Sequence, residues 1–204
     1  MKLYSTPTSP FVRKVMIVAH EVGVADRIET TFLRPSPMQP DEVLSRDNPL
    51  SKIPALVLDD GSSLYDSHVI CEYLDAQRSA GATILPTSGP ARWTALRREA
   101  LANGMLEAAV QVFYERRNRP EELQWAPWIE GQSAKVRLAL DALEREAGTF
   151  GDGADLGSIT IAAALGWLEF RGFMGDLRTG RPALFAWYDR FCERPSMRAT
   201  TPHD

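Results

Sequence analysis

The chain has 204 residues, a formal net charge of -4 and a hydrophobic fraction of 44%. This length allows one large domain or two small ones, and the composition is that of a folded protein rather than a disordered one. With this acidic balance, a basic nucleic-acid-binding surface is not expected. The longest apolar stretch, residues 159–170, is shorter than the roughly 18–20 residues that span a bilayer. The N-terminus has no apolar signal-peptide core, so we expect a cytoplasmic protein with no membrane association.

Cysteine and histidine are scarce in the sequence. Cys71 and Cys192 are the only cysteines and are far apart, which argues against a disulfide-rich scaffold, a cysteine zinc cluster and a CxxC redox motif. The histidines are scattered without metal-ligand spacing, so no metal site is expected. We expect Cys71 to lie in the core, and His20 and His68 to be surface residues or to have satisfied hydrogen bonds.

The first third of the chain alternates strand and helix patterns. Strands are predicted at 2–5 and 28–32, on either side of a helix over 10–22 whose apolar residues recur every three or four positions. Ser9 precedes Pro10 in the manner of a helix N-cap. Because a helix connects the two strands, we expect them to be parallel.

A proline-rich loop over 34–40 leads to a second unit of the same sheet. Strands are predicted at 55–58 and 63–65, and the Asp-Asp-Gly turn between them indicates an antiparallel pair. A helix follows, capped by Asp66 or by Ser67. The elements together predict a four-stranded mixed sheet with the order β-α-β and then β-β-α.

Helical patterns replace strand patterns after residue 78. Residues 79–90 are rich in Gly, Pro, Ser and Ala, which is typical of a linker between an α/β domain over 1–78 and an all-helical domain over 91–204. Within the helical part, residues 159–168 are apolar nearly all round, which indicates a fully buried helix. Ser158 is predicted to cap it.

Two further features lie on the first long helix of this part. Ala100, Gly104 and Ala108 recur every four residues, a spacing that lets another helix approach closely, either within the chain or in a second copy. The basic run over 116–119 is flanked by glutamates. It is predicted to be a solvated helix end.

Three short motifs of the first domain, at 9–15, 52–54 and 66–67, are ordinary caps and turns when taken singly. Their order and spacing, together with the all-helical second part, resemble the glutathione transferase family over essentially the whole chain. The resemblance implies a thioredoxin-like first domain. The Ser-Pro-Phe-Val-Arg-Lys-Val segment at 9–15 is similar to the serine-type members of the family.

The resemblance implies where glutathione would bind. The residue before a cis proline pairs its main chain with that of the glutathione cysteine, a role that falls on Ile53 before Pro54. The γ-glutamyl end carries an ammonium and a carboxylate, which Asp66 and Ser67 at a helix N-terminus suit. The candidates for the glycyl carboxylate are Lys52, which is the best placed, and Arg34 and Gln39.

The resemblance also assigns Ser9 to the glutathione thiol. A free thiol has a pKa of about 8.5 and is only slightly ionised at neutral pH, whereas the thiolate is the nucleophile. A hydrogen bond from Ser9 Oγ and the positive end of the helix would lower that pKa. Ser9 then acts as a donor, and helix capping competes with it for one hydroxyl. The alternative hydroxyls are those of Ser5, Thr6 and Thr8.

The acceptor pocket is implied to lie between the two domains. Its candidate residues are Phe11, Met105, Gln111, Tyr114 and Trp167, and each is equally well explained as a core or linker-side residue. One departure concerns the central helix, where the family often has a Ser-x-x-Asp capping box. Residues 158–161 keep the serine but end in isoleucine, and Thr160 would compensate in part.

The resulting hypothesis is a homodimeric glutathione transferase active in detoxification, which conjugates glutathione, as co-substrate, to small apolar electrophiles. It has no permanently bound cofactor. The alternative is a glutathione-binding or protein-interaction module of the same fold with little or no transferase activity.

Overall fold

The structure is a computed structural model and describes residues 1–203. Its first half is a four-stranded sheet covered by two helices, and its second half is helical, as predicted. The elements in chain order are β1 Lys2–Ser5, α1 Pro10–Glu21, β2 Glu29–Phe32, α2 Leu44–Asp47, β3 Ala55–Val57, β4 Ser63–Leu64, α3 Ser67–Ala76, α4 Gly89–Asn118, α5 Ala126–Glu146, α6 Leu156–Arg171, α7 Pro182–Phe191 and α8 Pro195–Ala199.

The strand order in the sheet is β2-β1-β3-β4. β1 and β2 are parallel, as the helical crossover predicted, whereas β3 is antiparallel to both β1 and β4. In this register Tyr4, near the end of β1, lies opposite Ala55 at the start of β3. The predicted thioredoxin-like arrangement is thus confirmed. The segment predicted as a linker overlaps α4, which begins at Gly89.

The two halves share one hydrophobic core. α1 packs on α3 within the sheet domain and on α6 within the helical part. Val15 and Val18 of α1 and Ile161 and Leu165 of α6 are completely buried members of the same apolar cluster. A continuous cluster of this kind implies that the two halves are held together by apolar contact.

A partly buried ion pair ties α1 to the end of the chain. Arg194 donates to both carboxylate oxygens of Glu21, at 2.9 and 2.7 Å, and Ser196 Oγ donates to the same carboxylate. Burial by itself raises the pKa of Glu21, but the hydrogen bonds from Arg194 and Ser196 outweigh it and hold this pKa below its usual value. The pair therefore fixes α8 against α1.

α6 is the central helix, and every residue from Leu156 to Leu168 is buried, as predicted. The predicted cap at Ser158 is wrong, because the capping box begins three residues earlier. Asp155 Oδ1 accepts from Ser158 N at 2.7 Å, and Ser158 Oγ accepts from Asp155 N at 2.9 Å. Thr160 does not compensate for a missing cap, because its hydroxyl donates to the Leu156 carbonyl at 2.6 Å.

We expect Asp155→Ala to lower the free energy of unfolding by about 1–2 kcal/mol, the upper part of the range for loss of a cap, since the helix that it begins is buried. Asp155→Asn keeps an acceptor and should cost less. Urea denaturation measures both. The control is Asp152→Ala, because the carboxylate of this exposed neighbour accepts no hydrogen bond from residues 1–203, and the substitution keeps the carbonyl that accepts from Arg194. Equal effects of the two alanine variants would contradict the capping role.

Candidate functional site

The three motifs identified in the sequence lie at one edge of the sheet. β1 and β4 are both antiparallel to β3 and hence parallel to each other, so α1 and α3, which follow them, both begin at the same edge. The start of β3 lies beside the ends of β1 and β4 in the observed register. Ser9, Ile53 and Asp66 therefore converge although more than forty residues separate the first two in sequence.

Ser9 is the half-buried N-cap of α1. Its Oγ accepts a hydrogen bond from Val12 N at 3.3 Å, and its own O–H donates to no residue within 1–203. A hydroxyl has one donor and two acceptor positions. Capping uses a lone pair and leaves the proton free, so the predicted competition between capping and donation does not arise.

The loop that carries Ser9 is held from the helical part. Trp167 Nε1 donates to the Thr8 carbonyl at 3.1 Å, and Trp167 is only 3% exposed. The indole is therefore a fixed wall beside the loop. Of the predicted acceptor residues, Trp167 is the one that contacts the loop directly.

The second motif presents an unpaired stretch of main chain. The Ile53–Pro54 peptide bond is cis, as the resemblance implied. Ile53 precedes β3, and its main-chain N–H and C=O form no hydrogen bond with any described residue. Pro54 is buried, so the exposed pairing groups belong to a firmly packed segment.

Lys52 is exposed, and its ammonium has no carboxylate partner within the described chain. The loop that bears it is shaped by Asn48, whose Nδ2 donates to the Lys52 carbonyl at 2.8 Å. Ser51 adopts the left-handed region at φ 50° and accepts from Asp41 N at 2.7 Å. The sequence marks the segment from Asn48 to Pro54 as a turn-rich entry to β3 but assigns no separate role to Asn48. Arg34 lies over the Phe32 ring at 5.3 Å, and Gln39 is exposed.

The third motif forms the N-terminus of α3. Asp66 is the cap, with its Oδ1 accepting from His68 N at 3.0 Å, and the Tyr65–Asp66 peptide bond is also cis. Ser67 is 3% exposed, and its hydroxyl forms no hydrogen bond with residues 1–203. A free hydroxyl at a helix N-terminus is suited to a carboxylate.

A buried charged cluster joins α1, α3 and α4 behind this motif. Lys14 Nζ lies 3.1 Å from Glu99 Oε1 and 3.3 Å from Asn103 Oδ1. His68 Nδ1 lies 2.6 Å from Glu99 Oε2, so the predicted satisfied histidine is confirmed. Lys14 is 1% and Glu99 3% exposed. Sequence reasoning missed this cluster, because its members are distant in sequence and Lys14 stands beside an equally basic residue.

Cys71 packs near the charged cluster and is completely buried, as predicted. Burial raises the pKa of its thiol to about 12. Cys192 is half-buried, and burial raises the pKa of this thiol as well. Neither cysteine is therefore an ionised nucleophile at neutral pH.

The other candidate acceptor residues are dispersed. Met105 is buried and Phe11 half-buried, both within the core, while Gln111 is exposed on α4. Tyr114 is 36% exposed and lies against Phe113, whose ring in turn meets Trp167 at 5.9 Å. Only Tyr114 and Trp167 are thus brought near the same aromatic group.

Residues 1–203 contain no cluster of three or more His, Cys, Asp or Glu side chains that could hold a metal ion. No helix in this range is long and apolar enough to cross a membrane.

Comparison with known proteins identifies the family of the chain. Models of the N-terminal and C-terminal domains of glutathione S-transferase match residues 8–77 and 126–190. The YibF protein of Escherichia coli K12, described as an uncharacterized GST-like protein, is 33% identical over 99% of this chain and 98% of its own. This chain belongs to the glutathione S-transferase family.

Two solved structures of this transferase family are similar to the chain. A glutathione transferase family member from Pseudomonas fluorescens Pf-5 with bound glutathione has a TM-score of 0.96 and 45% identity, covering 100% of this chain and 99% of that one. A structure of a family member from the same organism with bound S-(propanoic acid)-glutathione has a TM-score of 0.91 and 42% identity, with both chains fully covered.

Proposed function

We propose that this family member binds glutathione at the sheet edge and stabilises its thiolate for conjugation to small electrophiles. The observation that carries the proposal is that four groups whose donors have no acceptor among residues 1–203 lie there. They are the Ser9 hydroxyl, the main chain of Ile53, the Ser67 hydroxyl and the Lys52 ammonium. The glutathione and the S-(propanoic acid)-glutathione bound by the Pseudomonas proteins support it.

These groups complement the polar groups of an extended glutathione molecule. The Ile53 main chain pairs with the cysteinyl residue as one more strand would. Asp66 takes the γ-glutamyl ammonium, and the N-terminus of α3 with the Ser67 hydroxyl takes its carboxylate. Lys52 neutralises the glycyl carboxylate, and Pro54 holds the Ile53 segment in place.

The remaining group is the thiol, which meets Ser9 at the N-terminus of α1. Lowering a thiol pKa by about two units requires roughly 2.7 kcal/mol of preferential stabilisation of the thiolate. A hydrogen bond to a charged acceptor supplies about 1.5–3 kcal/mol, and the helix end adds a few tenths to one. The sum of these two contributions is comparable to the stabilisation required, so no general base is needed.

A cytoplasmic homodimer belongs to the same proposal. Ala100 and Gly104 are exposed on α4, whereas Ala108 is buried within the chain. The first two are thus available to a second copy. A light-scattering mass of one chain in solution would exclude the dimer.

Calorimetric titration with glutathione tests the binding step, and Ser67→Ala is the decisive variant. We expect its dissociation constant for glutathione to rise about tenfold, because a charged carboxylate loses one hydroxyl donor. The control is Ser88→Ala, which alters an exposed serine without a side-chain hydrogen bond in the described chain.

Conjugation of a panel of electrophiles then tests the chemical step. Turnover above the uncatalysed rate supports the transferase. No binding of glutathione at millimolar concentration would overturn the whole proposal. Tight binding without turnover would instead favour the glutathione-binding or protein-interaction module.

A further inference from the structure

A cavity of about 430 Å³ lies at the C-terminal ends of α4 and α6, outside the residues assigned above. Aromatic and guanidinium groups line it in equal number. The lining residues are Phe113, Arg116, Arg117, Phe170, Arg171 and Phe173, and we call this cavity the arginine pocket. No carboxylate is among them.

The arginine pocket is separated from the Ser9 loop by a single indole. Trp167 donates to the Thr8 carbonyl on one side, at 3.1 Å. On the other side its ring meets Phe113 and Phe173 at centroid distances of 5.9 and 5.8 Å. The Ser9 loop and the arginine pocket therefore lie on opposite sides of one indole.

The charges of Arg116 and Arg117 are not neutralised by a carboxylate in the described part of the chain. Arg116 and Arg117 form no ion pair within residues 1–203. The carboxylate of Glu115, their neighbour on α4, accepts a hydrogen bond from Trp125 N at 3.1 Å and forms an ion pair with Arg119 at 2.8 Å. The backbone hydrogen bond from Trp125 and the Arg119 guanidinium hold the pKa of Glu115 below its usual value, so it stays ionised in that role.

The negative ends of the helix dipoles balance only part of the positive charge of Arg116 and Arg117. Basic residues in a last helical turn balance about half a negative charge at each helix end. Two helices end here, which accounts for roughly one unit. Arg116 and Arg117 carry two. The solvated helix end that the sequence predicted is therefore an incomplete description of this run.

The arginines are also positioned against flat apolar surfaces. The Arg117 guanidinium lies 5.6 Å from the centre of the Phe113 ring, and the Arg171 guanidinium lies 4.8 Å from the same ring. Arg116 is held by a hydrogen bond to the Phe173 carbonyl at 3.1 Å. Aromatic faces bind a flat apolar body, and guanidinium groups bind an acidic group on it.

We infer that the arginine pocket receives the acidic end of the second substrate. The electrophile is then an aromatic or similarly flat molecule that bears a carboxylate, and the glutathione conjugate keeps that carboxylate. This inference rests on the proposed function. Under this inference the second substrate is an acidic electrophile, whereas the family resemblance implied small apolar electrophiles.

Calorimetry with two matched ligands tests the inference without requiring turnover. S-(4-carboxybenzyl)glutathione and S-benzylglutathione differ only by the carboxylate. We expect the wild type to bind the acid about three- to tenfold more tightly, the range for partly exposed charged contacts to two arginines. Arg117→Gln should reduce this preference, and Arg116→Gln with Arg117→Gln should abolish it. Affinity for S-benzylglutathione and for glutathione should not change.

Arg145→Gln is the matched control, since this exposed arginine near the end of α5 lies outside the pocket and has no ion pair within the described residues. Arg117→Gln removes no protein hydrogen bond among residues 1–203, so it stays informative if loss of the Arg116 contact with Phe173 disturbs folding. Equal affinities of the wild type for the two ligands would overturn the inference, as would an undiminished preference in the folded variants. Absence of any glutathione binding would overturn the proposed function, and this inference with it.

Discussion

Ser9→Ala is expected to lower kcat/KM for glutathione conjugation about 10- to 100-fold, the loss of a hydrogen bond to a charged acceptor. The pKa of the bound glutathione thiol should rise by about one to two units for the same reason. The Ser9 proton is free to make this bond because Val12 N occupies only a lone pair of the hydroxyl. The pH dependence of kcat/KM for the electrophile at saturating glutathione measures both effects, since the rate then follows the fraction of bound thiolate.

Two kinds of control separate the thiol contact from the helix cap. Ser9→Thr keeps both the donor and the cap, and should retain most of the activity. Ser5→Ala, Thr6→Val and Thr8→Val remove the three alternative hydroxyls and should leave the thiol pKa unchanged. Urea denaturation measures the capping loss separately, which we expect to be about 0.5–2 kcal/mol. A pH profile of Ser9→Ala that matches the wild type would remove Ser9 from the mechanism.

Lys14→Met is expected to lower the free energy of unfolding by about 3–5 kcal/mol, the largest stability effect that we predict. The lysine ammonium is 3.1 Å from Glu99, and both side chains are excluded from water. Removing the cation leaves a buried carboxylate with only His68 and Asn103 as partners. Because Glu99 joins α4 to α3, we also expect weaker glutathione binding through the displaced N-terminus of α3.

The double variant Lys14→Met with Glu99→Leu should recover much of this loss, since apolar side chains often replace a buried ion pair at little cost. Lys135→Met is the control, because this lysine is exposed and bonds only to Gln132 on its own helix. Its effect should stay within about 0.5 kcal/mol. Equal losses for the Lys14 and Lys135 variants would show that the buried pair contributes nothing.

Much of the fold could be predicted because its signals are local. The parallel and antiparallel pairings followed from a helical crossover and from one tight turn, and the buried helix over 159–168 followed from its composition. The cap of that helix was misassigned because Ser158 is the second half of a reciprocal box. Asp155 precedes the apolar run by three residues, so the start of the helix was placed too late.

The residues of the candidate site could be predicted from the sequence, but the hydrogen-bond partners of those residues could not. Ser9, Ile53 and Ser67 were identified from motifs, yet which of their polar groups lack a partner depends on neighbours elsewhere in the chain. The buried cluster of Lys14, Glu99 and His68 had no sequence signal. A charged residue is predicted to be exposed when the residue that pairs with it is far away in the sequence. The position of Arg117 over the Phe113 ring and the contact of Arg116 with the Phe173 carbonyl were equally unpredictable for this reason.

The sequence by itself determined most of the elements and the short motifs, because periodicity, turns and caps depend on residues within a few positions of each other. The cis bond before Pro54 was implied only by the resemblance to the family. Only the tertiary structure decided that three motifs share one sheet edge, with their donors unpaired and an arginine pocket beyond Trp167. Strand register and helix packing set those distances, and they arise from contacts between residues far apart in the chain. The sequence therefore provided candidate residues, and the structure added the distances and unpaired donors that binding and kinetic measurements can test.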